Sequence, residues 1–401
     1  MTHILCVGAG QAGAALVAKL RAEGFDGDIT LVGDEPVPPY QRPPLSKAYL
    51  LGDLPLERLF LRPENFYADA GIRLLTGAEV TTIDPVGKQV HLGGEAIAYD
   101  QLVLATGSSP RRLPGAIGGD LGGVHVVRTL ADVDAMTHDL KPGAQALIVG
   151  GGYIGLEAAA VGAKLGLSVT LCEASERILG RVASSETAAY FRALHESHGV
   201  RILEGVGLQR LTGQDRVETA ELADGNRLPV DIVIVGIGIE PATELACAAG
   251  LKIDNGIAVD AQGRTSDPAI WAAGDCASFP WQGQQIRLES VGHAIDQAEL
   301  VARNLLGAGD AYVPKPWFWS DQYDVKLQIA GLSGGADRVI VRGSGAQVSH
   351  WYFAGDQLVA VDAMGDPRGY MVGKRLIEAG KSPDADAIAD PDTDIKALLK
   401  A

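Results

Sequence analysis

A glycine pattern that occurs twice constrains this chain more than any other feature. Ile4-Leu5-Cys6-Val7 reads as a buried parallel strand. Gly8, Gly10 and Gly13 follow it as G-x-G-x-x-G, opening a helical stretch from Gln11 to Glu23. In such a turn the first glycine bends the chain tightly, the second lets the backbone approach a pyrophosphate, and the third lets helix pack on strand. The helix start then offers phosphates its free N–H groups and the positive end of its dipole. A second strand, Ile29-Thr30-Leu31-Val32, ends at Asp34-Glu35. An acid about 20 residues beyond the motif can bind ribose hydroxyls.

The same plan returns at Ala146-Leu147-Ile148-Val149, followed by Gly150, Gly152 and Gly155, a helix to Leu165, the strand Ser168-Val169-Thr170-Leu171 and the acid Glu173. Each half then runs through a meander, near 80–99 and 207–228. Each meander leads into a buried strand with a glycine turn: Gln101–Ala105 with Thr106-Gly107, and Ile232–Val235 with Gly236-Ile237-Gly238. A repeat of this length implies two dinucleotide sites in one α/β chain.

Composition narrows the class further. With 401 residues and 47% hydrophobic content the chain is long enough for two or three cores. The net charge of −16 argues against nucleic acid as a partner. Cys6, Cys172, Cys247 and Cys276 form no C-x-x-C pair, so neither a redox dithiol nor a structural metal site is expected. No basic leader precedes the first strand, and the apolar stretch 144–167 contains Glu157 and Lys164, so a cytoplasmic chain without a membrane span is expected.

The remaining segments are less regular. Asp34 to Pro44 is a proline-rich loop, and Leu45 to Leu50 reads as the start of a short helix carrying Lys47. Thr265 to Asp275 is a turn, an apolar strand and an acid, and 289–306 reads as a helix starting near Ser290-Val291. From Pro316 the texture changes to Trp317-Phe318-Trp319-Ser320-Asp321-Gln322-Tyr323. Short strands then follow near 326–329, 339–342, 348–353 and 358–362, with a helix near 370–379. The expected domains are 1–112 with 240–312, then 113–239, then a C-terminal α+β domain over 313–401.

Taken together, Gly8–Gly13, Arg42-Pro43-Pro44-Leu45-Ser46-Lys47, Ala105-Thr106-Gly107, Gly150–Glu157, Thr265–Asp275, Glu289-Ser290-Val291 and Pro316–Tyr323 resemble the FAD-dependent ferredoxin reductases of the putidaredoxin reductase type. That group includes rhodocoxin reductase and the reductase of biphenyl dioxygenase. The resemblance spans essentially the whole chain. It implies a glutathione-reductase-like flavoprotein fold, with two Rossmann-like domains and a C-terminal α+β domain.

The resemblance also implies roles for single residues. Non-covalent FAD would be held by Gly8, Gly10, Ala12 and Gly13 at the pyrophosphate and by Asp34 or Glu35 at the adenosine ribose. Arg42 would lie near the adenine or phosphates. Lys47, Val80, Ala105, Thr106, Gly107, Arg128, Asp275, Val291 and Trp319 complete the flavin set. Val291 would present backbone N–H at a helix start to the pyrimidine edge, where reduced flavin carries negative charge, an interaction of about 0.3–1 kcal/mol. NADH would be held by Gly150, Gly152, Tyr153, Ile154, Gly155, Glu157, Glu173 and Gly238. Glu173 disfavours a 2′-phosphate, whereas Arg177 or Arg181 could receive one. Lys47 and Glu157 would pair beside the nicotinamide.

The activity implied is hydride transfer from NADH to FAD, then single-electron transfer to a [2Fe–2S] ferredoxin. That ferredoxin would supply a haem-thiolate mono-oxygenase or a Rieske-type ring dioxygenase, and the reductase would be a monomer or weak dimer. An acidic ferredoxin would need a local basic patch, for which Arg303, Lys315, Lys326 and Arg338 are candidates. Two other readings stay open. One is an NADH oxidase, disfavoured in its cysteine-using forms because 43–50 holds no cysteine. The other is a redox-signalling flavoprotein resembling apoptosis-inducing factor.

Overall fold

A computed structural model describes residues 2–400. The chain divides into two compact units, each assembled from three segments. The first holds the residues up to Arg42, Pro55–Ser109 and Ile239–Pro316. The second holds Pro43–Leu54, Pro110–Gly238 and the chain from Trp317 onward.

In the first unit a five-stranded parallel sheet runs in the order Ile270–Ala272, Gln101–Leu104, His3–Val7, Asp28–Val32 and Ile72–Leu75. Side chains alternate across a strand. Ile4 and Cys6 therefore enter one core, shared with Leu16, Val17 and Leu20 of the helix Gln11–Ala22 and Val301 of the helix Val291–Leu305. Leu5 and Val7 enter the opposite core, covered by Ile83, Val90 and Ile97 of an antiparallel meander, Val80–Asp84, Gln89–Leu92 and Glu95–Ala98.

The second unit repeats this plan. Its parallel sheet runs in the order Arg201–Glu204, Ser168–Glu173, Gln145–Val149, Ile232–Val235 and Val124–Val126. It carries the helices Tyr153–Lys164 and Ser185–Ser197 and the meander Leu208–Thr212, Thr219–Leu222 and Arg227–Pro229. The same unit contains a five-stranded antiparallel sheet in the order Trp317–Gln322, Val325–Gly331, Gln357–Met364, Gln347–Ala354 and Arg338–Ser344. The helix Pro367–Glu378 packs Tyr370, Val372 and Leu376 onto Trp351 and Val361 of that sheet. A buried polar knot ties the two parts together: Thr187 Oγ1 lies 2.8 Å from Asp362 and 2.7 Å from His350 Nδ1, and Tyr352 also donates to Asp362. Burial pushes the Asp362 carboxyl up to about 6.

Two local expectations need correction, and one segment gains an assignment. The helix expected over 45–50 is a 3₁₀ turn, Pro43–Ser46, followed by irregular turns. The adjacent prolines fix φ and preset the tight turn. The helix expected over 370–379 starts at Pro367, because Asp366 accepts the Gly369 N–H at 2.9 Å and caps it. The aromatic run from Trp317 is itself an edge strand, antiparallel to Val325–Gly331.

Candidate functional site

Both glycine loops have the same local geometry. Gly8 has φ +112°, and a Cβ there would sit 2.1 Å from Ala105 O. Gly150 has φ +105°, and a Cβ there would sit 2.4 Å from Gly236 O. A Cβ at Gly13 or Gly155 would lie 2.0 Å from the carbonyl of Gly8 or Gly150. The middle glycines differ in kind. An added Cβ at Gly10 or Gly152 meets no protein atom within 4 Å. Each of these two residues starts its helix without a side-chain cap and with no acid in the first turn. The longer helices Ser185–Ser197 and Val291–Leu305 are capped by Ser184 and Ser290. Two uncapped helix starts, each facing open space, fit the pyrophosphate of a dinucleotide.

The other flavin candidates of the first unit gather around the same sheet. Glu35 accepts from Tyr40 O–H at 2.6 Å and Arg42 Nη2 at 2.7 Å, and the Arg42 guanidinium lies over the Tyr40 ring, 5.2 Å from its centroid. Asp34 is exposed beside this cluster in sequence. Ala12 and Ala105 are buried, and the Val80 side chain belongs to the core beneath the meander. Thr106 Oγ1 donates to Ala242 O at 2.7 Å, and Gly107 has φ +70°. Asp275 follows the strand Ile270–Ala272 and accepts from Ser108 Oγ at 3.1 Å. Val291 is the first residue of its helix.

In the second unit Glu173 ends its strand and turns back onto the loop. One carboxylate oxygen accepts the Gly151 N–H at 2.7 Å, the other the Ser175 N–H at 2.7 Å. Of the two arginines considered for a 2′-phosphate, Arg177 is committed to the carbonyls of Ala183 and Ser184, at 2.8 and 3.1 Å. Arg181 is exposed, with a guanidinium nitrogen 3.5 Å from where a Cβ on Gly238 would stand. Gly238 itself has φ +104°. Ile154 is 41% exposed, and the Tyr153 ring packs on Phe318 at a centroid distance of 4.9 Å.

Glu157 is the most enclosed acid beside this loop, 2% exposed. It does not stand alone there: Lys47 Nζ approaches one oxygen at 2.8 Å. Ser46 Oγ donates to the same oxygen at 2.7 Å, and Ser320 Oγ to the other at 2.7 Å. A buried carboxylate needs this density of donors and a counter-charge. Sequence reasoning paired Glu157 with Lys47 but missed Ser46, Ser320 and, behind Ser320, Gln322 and His195. The available signal was the period-two placement of Ser320 and Gln322 in a strand, which turns both to the same side.

Arg128 is half-buried in the second unit. Trp319 is also half-buried and stacks on Trp317 at 5.4 Å, and Lys374 Nζ lies over the Trp317 ring at 5.5 Å. Of the cations considered for a basic patch, Arg303 pairs with Asp310 and Lys326 with Asp321, at 3.3 and 3.2 Å, so each is largely neutralised locally.

Among the described residues the cysteines are all free. Burial pushes the thiols of Cys6, Cys172 and Cys276 up, away from thiolate chemistry. Among the described residues no group of His, Cys, Asp and Glu is placed to hold a metal, and no helix is long and apolar enough to cross a membrane.

Comparison with known proteins agrees with this geometry. Residues 2–298 match the family model for pyridine nucleotide-disulphide oxidoreductases, and residues 317–399 match the reductase C-terminal model. A ferredoxin–NAD(P)(+) reductase of Sphingomonas sp is 45% identical, the alignment covering 99% of this chain and 98% of that protein. The ferredoxin–NAD(+) reductase component of an anthranilate 1,2-dioxygenase system from Burkholderia cepacia is 41% identical, with 98% of each chain covered. The crystal structure of the covalent putidaredoxin reductase–putidaredoxin complex contains a chain that superposes with a TM-score of 0.96 at 41% identity, covering 100% of this chain and 98% of that one. A family model matched over residues 2–298 and full-length likeness at 41–45% identity place the chain in the pyridine nucleotide-disulphide oxidoreductase family, among its ferredoxin reductases.

Proposed function

We propose that this enzyme carries electrons from NADH, through non-covalently bound FAD, to a [2Fe–2S] ferredoxin that serves a terminal oxygenase, and that it works in the cytoplasm as a monomer or weak dimer. The observation that carries the reading is the pair of uncapped helix starts at Gly10 and Gly152, each with open space before it. The first cradle would hold FAD, with Gly8, Gly10, Ala12 and Gly13 at the pyrophosphate. Asp34 or Glu35 would serve the adenosine, with Arg42 ordered by its pairing to Glu35. Val80 would contribute backbone, beside Ala105, Thr106 and Gly107. Asp275 would meet ribityl hydroxyls, and Val291 would offer helix-start N–H groups. Arg128, Lys47 and Trp319 would take the roles toward FAD that the family likeness implies.

The second cradle would hold NADH at Gly150, Gly152, Tyr153, Ile154, Gly155 and Gly238, with Glu173 at the ribose. A carboxylate already oriented by two backbone N–H groups still has lone pairs for ribose hydroxyls and repels a phosphate. Arg177, occupied by carbonyls, is a poor phosphate receptor, which favours NADH. Lys47 and Glu157 would set the nicotinamide for transfer. When bound, FAD supplies the change from two-electron to one-electron chemistry, taking a hydride and releasing electrons singly. The residues that make a disulphide reductase out of this fold are missing: no cysteine lies within 43–54. This makes a ferredoxin a better acceptor than a dithiol, and disfavours the cysteine-using oxidases.

The test separates electron entry from exit. Anaerobic stopped-flow absorbance follows flavin bleaching by NADH, then oxidation by a ferredoxin of the same organism. Trp319→Ala should leave bleaching within about twofold and slow ferredoxin reduction roughly tenfold or more, as loss of a positioned contact does. Equal slowing of both steps at equal FAD content would remove Trp319 from the exit. NADH bleaching without any ferredoxin reduction would favour the oxidase or signalling readings.

A further inference from the structure

Behind Glu157 the second unit holds a line of buried polar side chains that the proposed reaction does not use. Ser320 and Gln322 come from the strand Trp317–Gln322, and His195 from the helix Ser185–Ser197. All three are fully buried. Gln322 Nε2 lies 3.1 Å from Ser320 Oγ, Gln322 Oε1 lies 2.8 Å from His195 Nε2, and His195 Nδ1 lies 3.2 Å from Tyr323 O–H.

The direction of these bonds follows from the chemistry of the first acceptor. A carboxylate beside a lysine only accepts, so the single Ser320 proton points to Glu157. Ser320 Oγ must then accept from the Gln322 amide nitrogen, which leaves the amide oxygen facing His195. His195 Nε2 therefore carries a proton. Burial lowers the His195 pKa to about 4, so the ring is neutral and its bare Nδ1 accepts from Tyr323. The reverse order, starting from Tyr323 as acceptor, would strip Glu157 of one charge-assisted bond, the strongest kind in the chain. Tyr323 is held at φ +57°, a costly conformation for a tyrosine, in the hairpin turn where its ring stacks on His198 at 3.7 Å.

We propose that His195, Gln322 and Ser320 form a one-way line of donors that holds the Glu157 carboxylate in register with Lys47, making them positioning residues for hydride entry. This rests on the reading that Lys47 and Glu157 serve the nicotinamide. Misplacement of a group in a hydride-transfer site by a fraction of an ångström is enough to slow the step severalfold. A merely space-filling role for the line would depend on volume, whereas the proposed role depends on which atoms donate.

The experiment uses the FAD-loaded protein and reads the histidine rings directly. In ¹⁵N-histidine-labelled protein, the His195 signals, identified by their loss in His195→Gln, should report a neutral ring protonated at Nε2. Glu157→Gln leaves one amide oxygen, which Lys47 and Ser46 claim, and turns an N–H toward Ser320. Ser320 is then no longer obliged to donate there, and His195 should populate both tautomers although its own contacts are untouched. Gln322→Glu keeps the volume but replaces the amide donor, and as a carboxylate it cannot donate to Ser320. It should slow NADH bleaching roughly tenfold and more than Gln322→Met, which only deletes the two bonds. A wild-type His195 protonated at Nδ1, an unchanged tautomer in Glu157→Gln, or equal rates for Gln322→Glu and Gln322→Met would overturn the proposal. If Gln322→Glu does not fold, the tautomer measurement in Glu157→Gln decides alone. Failure of the underlying reading looks different: Glu157→Gln would then leave bleaching by NADH unchanged, whatever the histidine spectrum shows.

Discussion

The two glycine loops follow one plan but place a single side chain differently. In both, the first glycine N–H bonds a carbonyl at the end of the second strand at 2.8 Å, Gly8 to Val32 and Gly150 to Cys172. The residue after that carbonyl is Gly33 in the first unit and Glu173 in the second. The residue facing it in the loop is Ala9 in the first and Gly151 in the second. A Cβ at Gly33 would stand 2.5 Å from the Ala9 methyl. In the second unit the glycine is in the loop, and the space it leaves lets Glu173 accept the Gly151 N–H. In the first unit there is room for one Cβ at this crossing. Where it sits decides whether the acid arrives directly at the strand end or one to two residues later, at Asp34 and Glu35. A late acid is free to be tied elsewhere, as Glu35 is by Arg42 and Tyr40. An early one is aimed at the loop.

The strongest challenge to this account is to force the second arrangement on the first unit. Gly33→Glu should overpack the crossing by about 1–3 kcal/mol and strip most of the FAD, read by melting temperature and flavin absorbance per chain. Ala9→Gly with Gly33→Glu should recover much of the stability. Normal FAD loading in Gly33→Glu alone would show that the crossing has room for two side chains.

The next test uses the sites where protein offers no resistance. A Cβ at Gly10 or Gly152 meets no atom within 4 Å, so Gly10→Val and Gly152→Val should each fold with little loss of stability. Gly10→Val should be purified depleted of FAD. Gly152→Val should keep its FAD and bind NADH at least tenfold more weakly, as expected when a side chain occupies the pyrophosphate approach. Exchange of those two phenotypes would reverse the assignment of the two cradles.

Smaller effects sharpen the role of the early acid. Glu173→Ala should weaken NADH binding by about 1.5–3 kcal/mol, from roughly tenfold to over a hundredfold, and narrow discrimination against NADPH, measured as the two dissociation constants. An existing preference for NADPH in the wild type would move attention to Arg181. Gly151→Ala should act through the same carboxylate, since its Cβ would lie 3.2 Å from the Glu173 oxygen and 2.7 Å from Ile178 Cγ2. We expect the NADH KM to rise about threefold with kcat little changed, the pattern of lost ground-state binding.

Much of this molecule was legible in the residues themselves because its main instructions are local. The motif, the apolar strand before it and the helix after it are neighbours in the chain, and three glycines leave few alternative turns. The doubling of the pattern then implied two parallel sheets. The third strand of the first sheet, Ile72–Leu75, was not anticipated. It is four residues long, only Ile72 is buried, and it follows a long irregular excursion, so it has no period to read. The same holds for Pro43–Leu54, which lies in sequence between two segments of the first unit yet packs with the second.

The candidate site divides along the same line. Which residue types could bind phosphate or ribose was set by the sequence alone, through backbone conformations that only glycine adopts easily. How Glu157 is partnered while buried was decided by the tertiary structure. Its partners Ser46 and Ser320 lie 111 and 163 residues away in the chain. No local pattern links them, because a hydrogen bond requires distance and angle rather than sequence order. The only force that selects such partners is the cost of burying a carboxylate without them.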